Sequence, residues 1–311
     1  MKEKTFFDMN RRDFLKIGGS AAIVTGMGGV SAFASKPSPD SQTPSDNSLA
    51  VKFLGTGAAG KRRSDHPEDR RHSSILLDKR VIIDFTPASE DMLPEGFSPE
   101  AIFYTHSHGD HYNPSAAIKL KPGKIYVGET WIQRAIGELH AAATALGLPV
   151  PQIFPLRVGD RIPVGDITLT ALPANHATGD IHEQTLMYLI EKGGVRIMYA
   201  TDTGGIPAIA ARLAGIDPHV KPGNPITGLI MESTMGIDLD EDFRIFAHSS
   251  VATVLRTVHM LSAYGRYTPP EGQPVYITHM ARSLHKEPVG HNWPAPLKPA
   301  NDGLEVIFRA P

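Results

Sequence analysis

The sequence predicts an α/β fold, carried by one domain of about 260 residues. From Leu49 onward, short apolar runs are punctuated by Gly, Pro and Asp. Two longer stretches between these runs repeat apolar residues at helical spacing. No internal repeat divides the chain, and its length suits one large domain.

Taken in order, the expected strands are LAVKFLG (49–55), SSILLD (73–78), RVIIDF (80–85), AIFYTH (101–106) and KIYVG (124–128). ITLTALP (167–173), LMYLIE (186–191), RIMYAT (196–201), TGLIMES (227–233) and PVYITH (274–279) follow. The first expected helix covers 129–147, with Trp131, Ala135, Leu139, Ala143 and Leu146 on one side and Gln133, Arg134 and Glu138 exposed. The second covers 249–264 and places Val251, Leu255, Val258 and Leu261 on one face.

The composition is globular: 41% hydrophobic and 21% charged, with a formal net charge of −2. Such a balance provides no global positive field for nucleic acid. Cysteine is absent, which excludes disulfides, thiolate metal sites, cysteine nucleophiles and lipid-modified cysteine. The 14 histidines are many for 311 residues.

Residues 1–34 read as an address rather than as fold. Arg11 and Arg12 precede Phe14, Leu15 and Lys16, a Gly/Ala-rich apolar run follows, and Ala32 to Ala34 provide small residues for cleavage before Ser35. This resembles a twin-arginine export signal. A membrane anchor is disfavoured, because the run from Ile17 to Phe33 is short and holds five glycines. The signal carries net charge +2, so the mature chain is near −4. Residues 35–49 are rich in Pro, Ser and Asp and read as a flexible linker. The expected location is periplasmic or secreted, with the export machinery as partner and no membrane association after cleavage.

GTGAAGKR, Gly55 to Arg62, approaches a phosphate-binding loop, but Arg62 stands where a Ser or Thr would hold Mg²⁺. The polar, proline-containing stretch after it is no helix, so a glycine turn is the simpler reading. The basic residues Lys61, Arg62, Arg63, Arg70 and Arg71 are partly offset by Asp65, Glu68 and Asp69. They form a solvated loop or an anion contact.

The sharpest feature is THSHGDH, residues 105–111. His106 and His108 are two apart, so at a strand end both can face one ion. Asp110 and His111 enter the turn beyond. Imidazole and carboxylate are standard ligands for zinc and neighbouring divalent ions. Without an ion, such crowding of polar groups is unfavourable.

At this point the chain resembles the metallo-β-lactamase superfamily over about residues 50–310. The resemblance implies a four-layer αβ/βα sandwich, two mixed β-sheets flanked by helices. It also implies later ligands at strand ends, here His176 in LPANHATGD, Asp202 in MYATDTGG and His279 in VYITHMA. His106, His108 and His176 would hold one ion, Asp110, His111 and His279 a second, and Asp202 would bridge them. Zinc is the expected metal of both sites, with manganese or iron(II) as alternatives. Two such ions lower the pKa of a shared water and polarise a scissile ester. Asp110 would orient or deprotonate the nucleophile, and Asp84 in VIIDF would support the motif loop.

Two details narrow the substrate. MEST (231–234), His248 in FAHSS and THMA (278–281) follow in the order of the branch containing tRNA 3′-end endonucleases and cyclic-phosphate phosphodiesterases. LGTGAAG resembles the opening turn of that branch. The resemblance gives His248 a phosphoryl-stabilising role; the other reading is a surface residue at a helix start. No basic arm for gripping tRNA is evident, and the mature chain is acidic. The expected substrate is therefore a small anionic phosphodiester, with no stable nucleic-acid partner. The alternatives are a lactonase, thioesterase or lactamase on the same ions, or a non-catalytic metal-binding protein. His140, His182, His219, His259, His285 and His291 receive no role, His285 being the nearest to an exception.

Overall fold

The computed structural model describes residues 47–60, 66, 69–219, 224–237, 239–240, 242–285 and 293–311. The expected export signal, most of the linker, Lys61, Arg62, Arg63, Asp65, Glu68 and His291 lie outside the described residues.

Among the described residues, fourteen strands build two seven-stranded sheets. The first half of the chain contributes β1 (Ser48–Gly55), β2 (Ser74–Leu77), β3 (Val81–Ile83), β4 (Ala101–Phe103), helix α1 (Pro114–Lys119), β5 (Lys124–Gly128), helix α2 (Ile132–Leu146) and β6 (Gln152–Leu156). The second half contributes β7 (Arg161–Val164), β8 (Ile167–Pro173), β9 (Leu186–Lys192), β10 (Val195–Ala200), helix α3 (Ala208–Leu213) and β11 (Gly228–Glu232). Helix α4 (Val251–Ala263), β12 (Val275–Thr278), β13 (Leu297–Pro299) and β14 (Glu305–Arg309) complete it. The strand orders are β14-β1-β2-β3-β4-β5-β6 and β13-β12-β11-β10-β9-β8-β7.

Both sheets are mixed. β14, β1, β2 and β3 pair antiparallel, then β3 to β6 run parallel. In the second sheet β7 to β10 are antiparallel, then β10 to β13 run parallel. The main core lies between the sheets, where Phe53, Ile75 and Phe103 meet Tyr188, Tyr199 and Ile230. A second apolar layer joins the outer face of the first sheet to α1 and α2 through Ile82, Tyr104, Ala117 and Leu139. A third joins the second sheet to α3 and α4 through Leu172, Met198, Ala210 and Val254. These are the four layers of an αβ/βα sandwich. Full burial of a Phe, Leu or Ile side chain contributes about 1.5–3 kcal/mol, so these three layers carry the fold.

The structure amends several expectations. The strand expected over 101–106 ends at Phe103, so His106 lies in the loop beyond it and not on a strand. β1 begins at Ser48, so Ser48 and Leu49 belong to the sheet and not to the linker. β6, β7, β13, β14, α1 and α3 were not expected. In α2 Leu146 is 38% exposed, because Gly147 ends the helix in the left-handed conformation just beyond it. In α4 Val254 takes the buried place expected for Leu255. The described residues of GTGAAG, 55–60, are the end of β1 and the bend after it. Gly57 bridges His72 and Met280, and a Cβ on Gly55 would sit 1.9 Å from the His72 carbonyl oxygen. These glycines permit close backbone approach.

Candidate metal centre

Strand direction explains why distant residues meet. β8 and β10 are each antiparallel to β9, so they run the same way, and β11 and β12 run parallel to β10. The C-terminal ends of all four therefore share one edge of the second sheet. β3 and β4 end together in the first sheet. The residues just past these ends are Asp84, His106, His176, Asp202 and His279, with Glu232 closing β11.

The three imidazoles of the first group converge tightly. His106 Nε2 lies 2.9 Å from His108 Nδ1, and His176 Nε2 lies 3.3 Å from the same atom. In the second group His111 Nε2 and His279 Nε2 are 3.2 Å apart, and Asp110 Oδ2 is 3.5 and 3.6 Å from them. Asp202 stands between the groups. Its Oδ2 is 2.9 Å from His111 Nε2 and 3.1 Å from His279 Nε2, and its Oδ1 is 3.7 Å from His176 Nε2. All seven residues expected as ligands are thus gathered in one cluster.

The surrounding residues set which ring nitrogen each histidine presents. Thr105 donates its hydroxyl to Asp84 and accepts from His106 Nδ1 at 2.9 Å. His111 Nδ1 donates to Asp84 Oδ2 at 2.8 Å. His279 Nδ1 donates to Thr234 Oγ1 at 2.8 Å, and Thr234 in turn donates to Glu232. His176 Nδ1 donates to the Ala247 carbonyl at 3.2 Å. Four histidines therefore present Nε2 to the centre, each fixed by an outer partner. His108 alone presents Nδ1.

This arrangement tests the fit for cations. With their Nδ1 atoms committed outward, His111 and His279 bring their Nε2 atoms to 3.2 Å from each other. That contact is repulsive unless a positive charge lies between them. Without a metal, a proton on His111 can supply that charge: burial opposes it, but the Asp202, Asp110 and Asp84 carboxylates hold His111 well above its ordinary pKa. Burial and the neighbouring His111 hold His106 well below its ordinary pKa, and burial lowers His176. Burial opposes charge on Asp202 and Asp110, but the adjacent imidazoles hold both well below the usual carboxylate range. Neutral imidazoles and ionised carboxylates are the forms that bind divalent ions. The donor set, all nitrogen and oxygen, suits divalent ions.

Backbone strain marks the same place. Asp84, Asp202 and His279 adopt φ of 58°, 47° and 51°, a region that side-chain-bearing residues rarely enter. Such strain costs about 1–3 kcal/mol per residue and concentrates at functional sites.

His248 lies at the edge of the cluster, with 17% of its side chain exposed. It is not the cap of α4, because Ser250 accepts from Thr253 N in that role. Its Nδ1 is 3.1 Å from Glu232 Oε1 and 3.8 Å from Asp202 Oδ1. Burial opposes its charge, but the Glu232 hydrogen bond outweighs burial and pushes the pKa up to about 9.

Four residues without an expected role prove central. Glu232 holds His248 and, through Thr234, His279. Thr105 links His106 to Asp84. Glu183 accepts from Ser107 N at 2.7 Å and from Ser107 Oγ at 2.6 Å, tying the His176 loop to the motif loop. The signal available for Glu232 is its place in MEST, directly at a strand end.

Other expected features lie elsewhere. His285 Nε2 donates to the Ser233 carbonyl at 2.6 Å and its ring stacks on Trp293. His140, His182, His219 and His259 are exposed and outside the cluster. Of the basic loop, Arg70 and Arg71 are described, and both are engaged within the chain. Arg70 bonds Thr56 and the Ala300 carbonyl, and Arg71 pairs with Asp91 at 2.6 Å and Asp302 at 3.6 Å.

The family described as beta-lactamase superfamily domain matches residues 84–280, from the supporting Asp84 to just past His279. No curated protein matches the sequence. Among solved structures, a diphosphatase from the PhnP family is 19% identical, with a TM-score of 0.57 over 85% of this chain and 98% of its own. Human tRNase Z, short form, is 16% identical, with a TM-score of 0.58 over 84% of this chain and 99% of its own. Zinc-bound PqqB from Methylobacterium extorquens is 16% identical, with a TM-score of 0.57 over 83% of this chain and 99% of its own. At these identities the likeness is one of fold.

Proposed function

The chain belongs to the beta-lactamase superfamily, and from that premise we propose that it is a metal-dependent hydrolase of small phosphodiesters, exported by the twin-arginine route with two divalent ions in place. One observation carries the two-ion reading: the Asp202 carboxylate turns Oδ2 to the His111–His279 group and Oδ1 toward His176. His106, His108 and His176 would hold one ion, and Asp110, His111 and His279 the other. Bound there, the ions would polarise an ester and a water and offset developing negative charge.

The chain's own residues supply the rest. Asp110, with 12% of its side chain exposed, is the accessible carboxylate of the cluster and positions the attacking nucleophile. Glu232 fixes His248 Nδ1, which leaves Nε2 of that partly exposed ring to donate to a phosphoryl oxygen or to the leaving group. A positioned donor of this kind suits a phosphodiester, whose charge rises on attack. The diphosphatase and tRNase Z among the similar folds are named for phosphate chemistry, which agrees with this direction.

The test is turnover of bis(p-nitrophenyl) phosphate by protein stripped of metal and reloaded with zinc, manganese or iron(II). Turnover is expected only in reloaded protein and is lost in His108→Ala. Hydrolysis of lactones, thioesters or β-lactams without any phosphodiester turnover would overturn the substrate. Export is tested by fractionating cells that express the Arg11→Lys, Arg12→Lys double variant. Retention of the mature protein outside the cytoplasm in that variant would overturn the route.

A further inference from the structure

A recess of about 520 Å³, within the size range of small-molecule sites, is lined in part by residues that neighbour the metal-centre residues in sequence. Val158, Pro173, Ile206, Pro207 and Ile209 give it apolar walls, and no lining residue carries a charge. Of its lining residues, Asn175 and Gly204 are the nearest in sequence to the centre. Asn175 directly precedes His176, and Gly204 follows Asp202 by two residues. The two are locked together, Gly204 N donating to the Asn175 carbonyl at 3.0 Å and Asn175 Nδ2 to the Gly204 carbonyl at 3.3 Å.

The short turn Phe243–Phe246 abuts the same wall. A Cβ on Gly204 would lie 2.5 Å from the Ile245 carbonyl oxygen, and the residue after the turn, Ala247, accepts a hydrogen bond from His176 Nδ1 through its carbonyl. Phe246 is 76% exposed and Phe243 is 75% exposed, Arg244 lying over the Phe243 ring. Large apolar side chains clustered in the open mark contact surfaces. Here they stand next to His176 and just before His248.

We infer that this recess is the subsite for the organic group of the ester that does not leave, and that the enzyme selects diesters in which this group is bulky, uncharged and apolar. The substrate statement rests on the hydrolase reading above, whereas the binding of an apolar group to the recess does not. A charged second group would lose its water against walls with no ionic partner. A methyl group would leave most of the recess wet. An aryl or longer alkyl group would displace that water and contact Ile209, which is 56% exposed without it.

The experiment compares phenyl p-nitrophenyl phosphate with methyl p-nitrophenyl phosphate, which release the same p-nitrophenolate. The metal-loaded wild type is expected to favour the phenyl ester in kcat/KM by about tenfold or more. In Ile209→Glu that ratio falls toward one through a raised KM for the phenyl ester. Val158→Glu, on a different segment, gives the same result should the first variant be damaged. Calorimetric titration with 2-naphthylmethanol reads the recess without turnover, and binding should weaken at least tenfold in either variant. Turnover with no preference and no naphthylmethanol binding overturns the subsite and leaves the hydrolase reading intact. Naphthylmethanol binding that both variants weaken, without phosphodiester turnover, supports the subsite and overturns the substrate reading.

Discussion

Ser107 carries no metal-binding atom, yet it sits between His106 and His108 and both of its polar groups end on the Glu183 carboxylate. Thr178 adds a third donor at 3.2 Å, and Glu183 is buried. The carboxylate thus clamps the motif loop of one sheet to the His176 loop of the other, which sets the spacing of the first ligand group. Removing such an outer partner typically lowers metal affinity about 10–100-fold. Glu183→Ala is expected to do so, read by competition with a chelator, and Ser107→Ala in the same background should add little more. Additive losses would show that the two residues act separately. His248→Ala makes the opposite prediction: metal content unchanged, with kcat/KM for bis(p-nitrophenyl) phosphate down about 10²–10³-fold, the usual effect of losing a transition-state donor. Full activity in that variant would remove His248 from the chemistry. The ligand residues were legible because each combines a metal-binding type with a position just past an apolar run. Glu183, Glu232, Thr105 and Thr234 were not, because their role lies in a partner reached through the fold. Glu183 and Ser107 are 76 positions apart, and nothing in either local sequence announces the other.

At the scale of elements, the strands that sequence reading missed are β6, β7, β13 and β14, and these are the four edges of the two sheets. An edge strand pairs on one side only and is half exposed, so it need not read as an apolar run. Pro155, Pro163 and Pro299 lie in three of them, tolerated there because an edge N–H is dispensable. In β14 only Phe308 is buried. α1 and α3 are six residues each, too short for periodicity to show. Local chemistry still decides element ends. Ser250 caps α4 by accepting from Thr253 N at 3.2 Å, directly after His248 and Ser249. Ser250→Ala is expected to cost about 1 kcal/mol, measured as a lower urea midpoint. Gly55→Ala should cost about 1–3 kcal/mol or more, because the new methyl meets the His72 carbonyl where two loops cross. An unchanged midpoint for Gly55→Ala would mean that the crossing is not held that closely.

The described residues form two sheets with their own helical layers, joined by one core and by the cluster at its edge. His106, His108, Asp110 and His111 follow β4 of the first sheet, and His176, Asp202 and His279 follow strands of the second. Both ligand groups therefore take members from both sheets, and each ion would act as a bolt between them. Without ions the cluster crowds His111 Nε2 to 3.2 Å from His279 Nε2, beside three residues with left-handed backbone, Asp84, Asp202 and His279. The folded state pays for that arrangement, and the unfolded chain, in which His176, Asp202 and His279 are far from the motif and from each other, does not. An ion that binds only the folded state stabilises it by about 4 kcal/mol when free metal is 1,000 times Kd. For a domain of this size each kcal/mol moves Tm by about 2–4 °C. Chelated protein is expected to melt about 10 °C or more below metal-loaded protein, with recovery on adding zinc or manganese. Asp202→Ala should shrink that difference further than a one-group variant such as His108→Ala, since Asp202 faces both groups. Equal melting temperatures with and without metal would mean that the sheets hold together without the ions, and that the crowding at the edge is relieved in some other way.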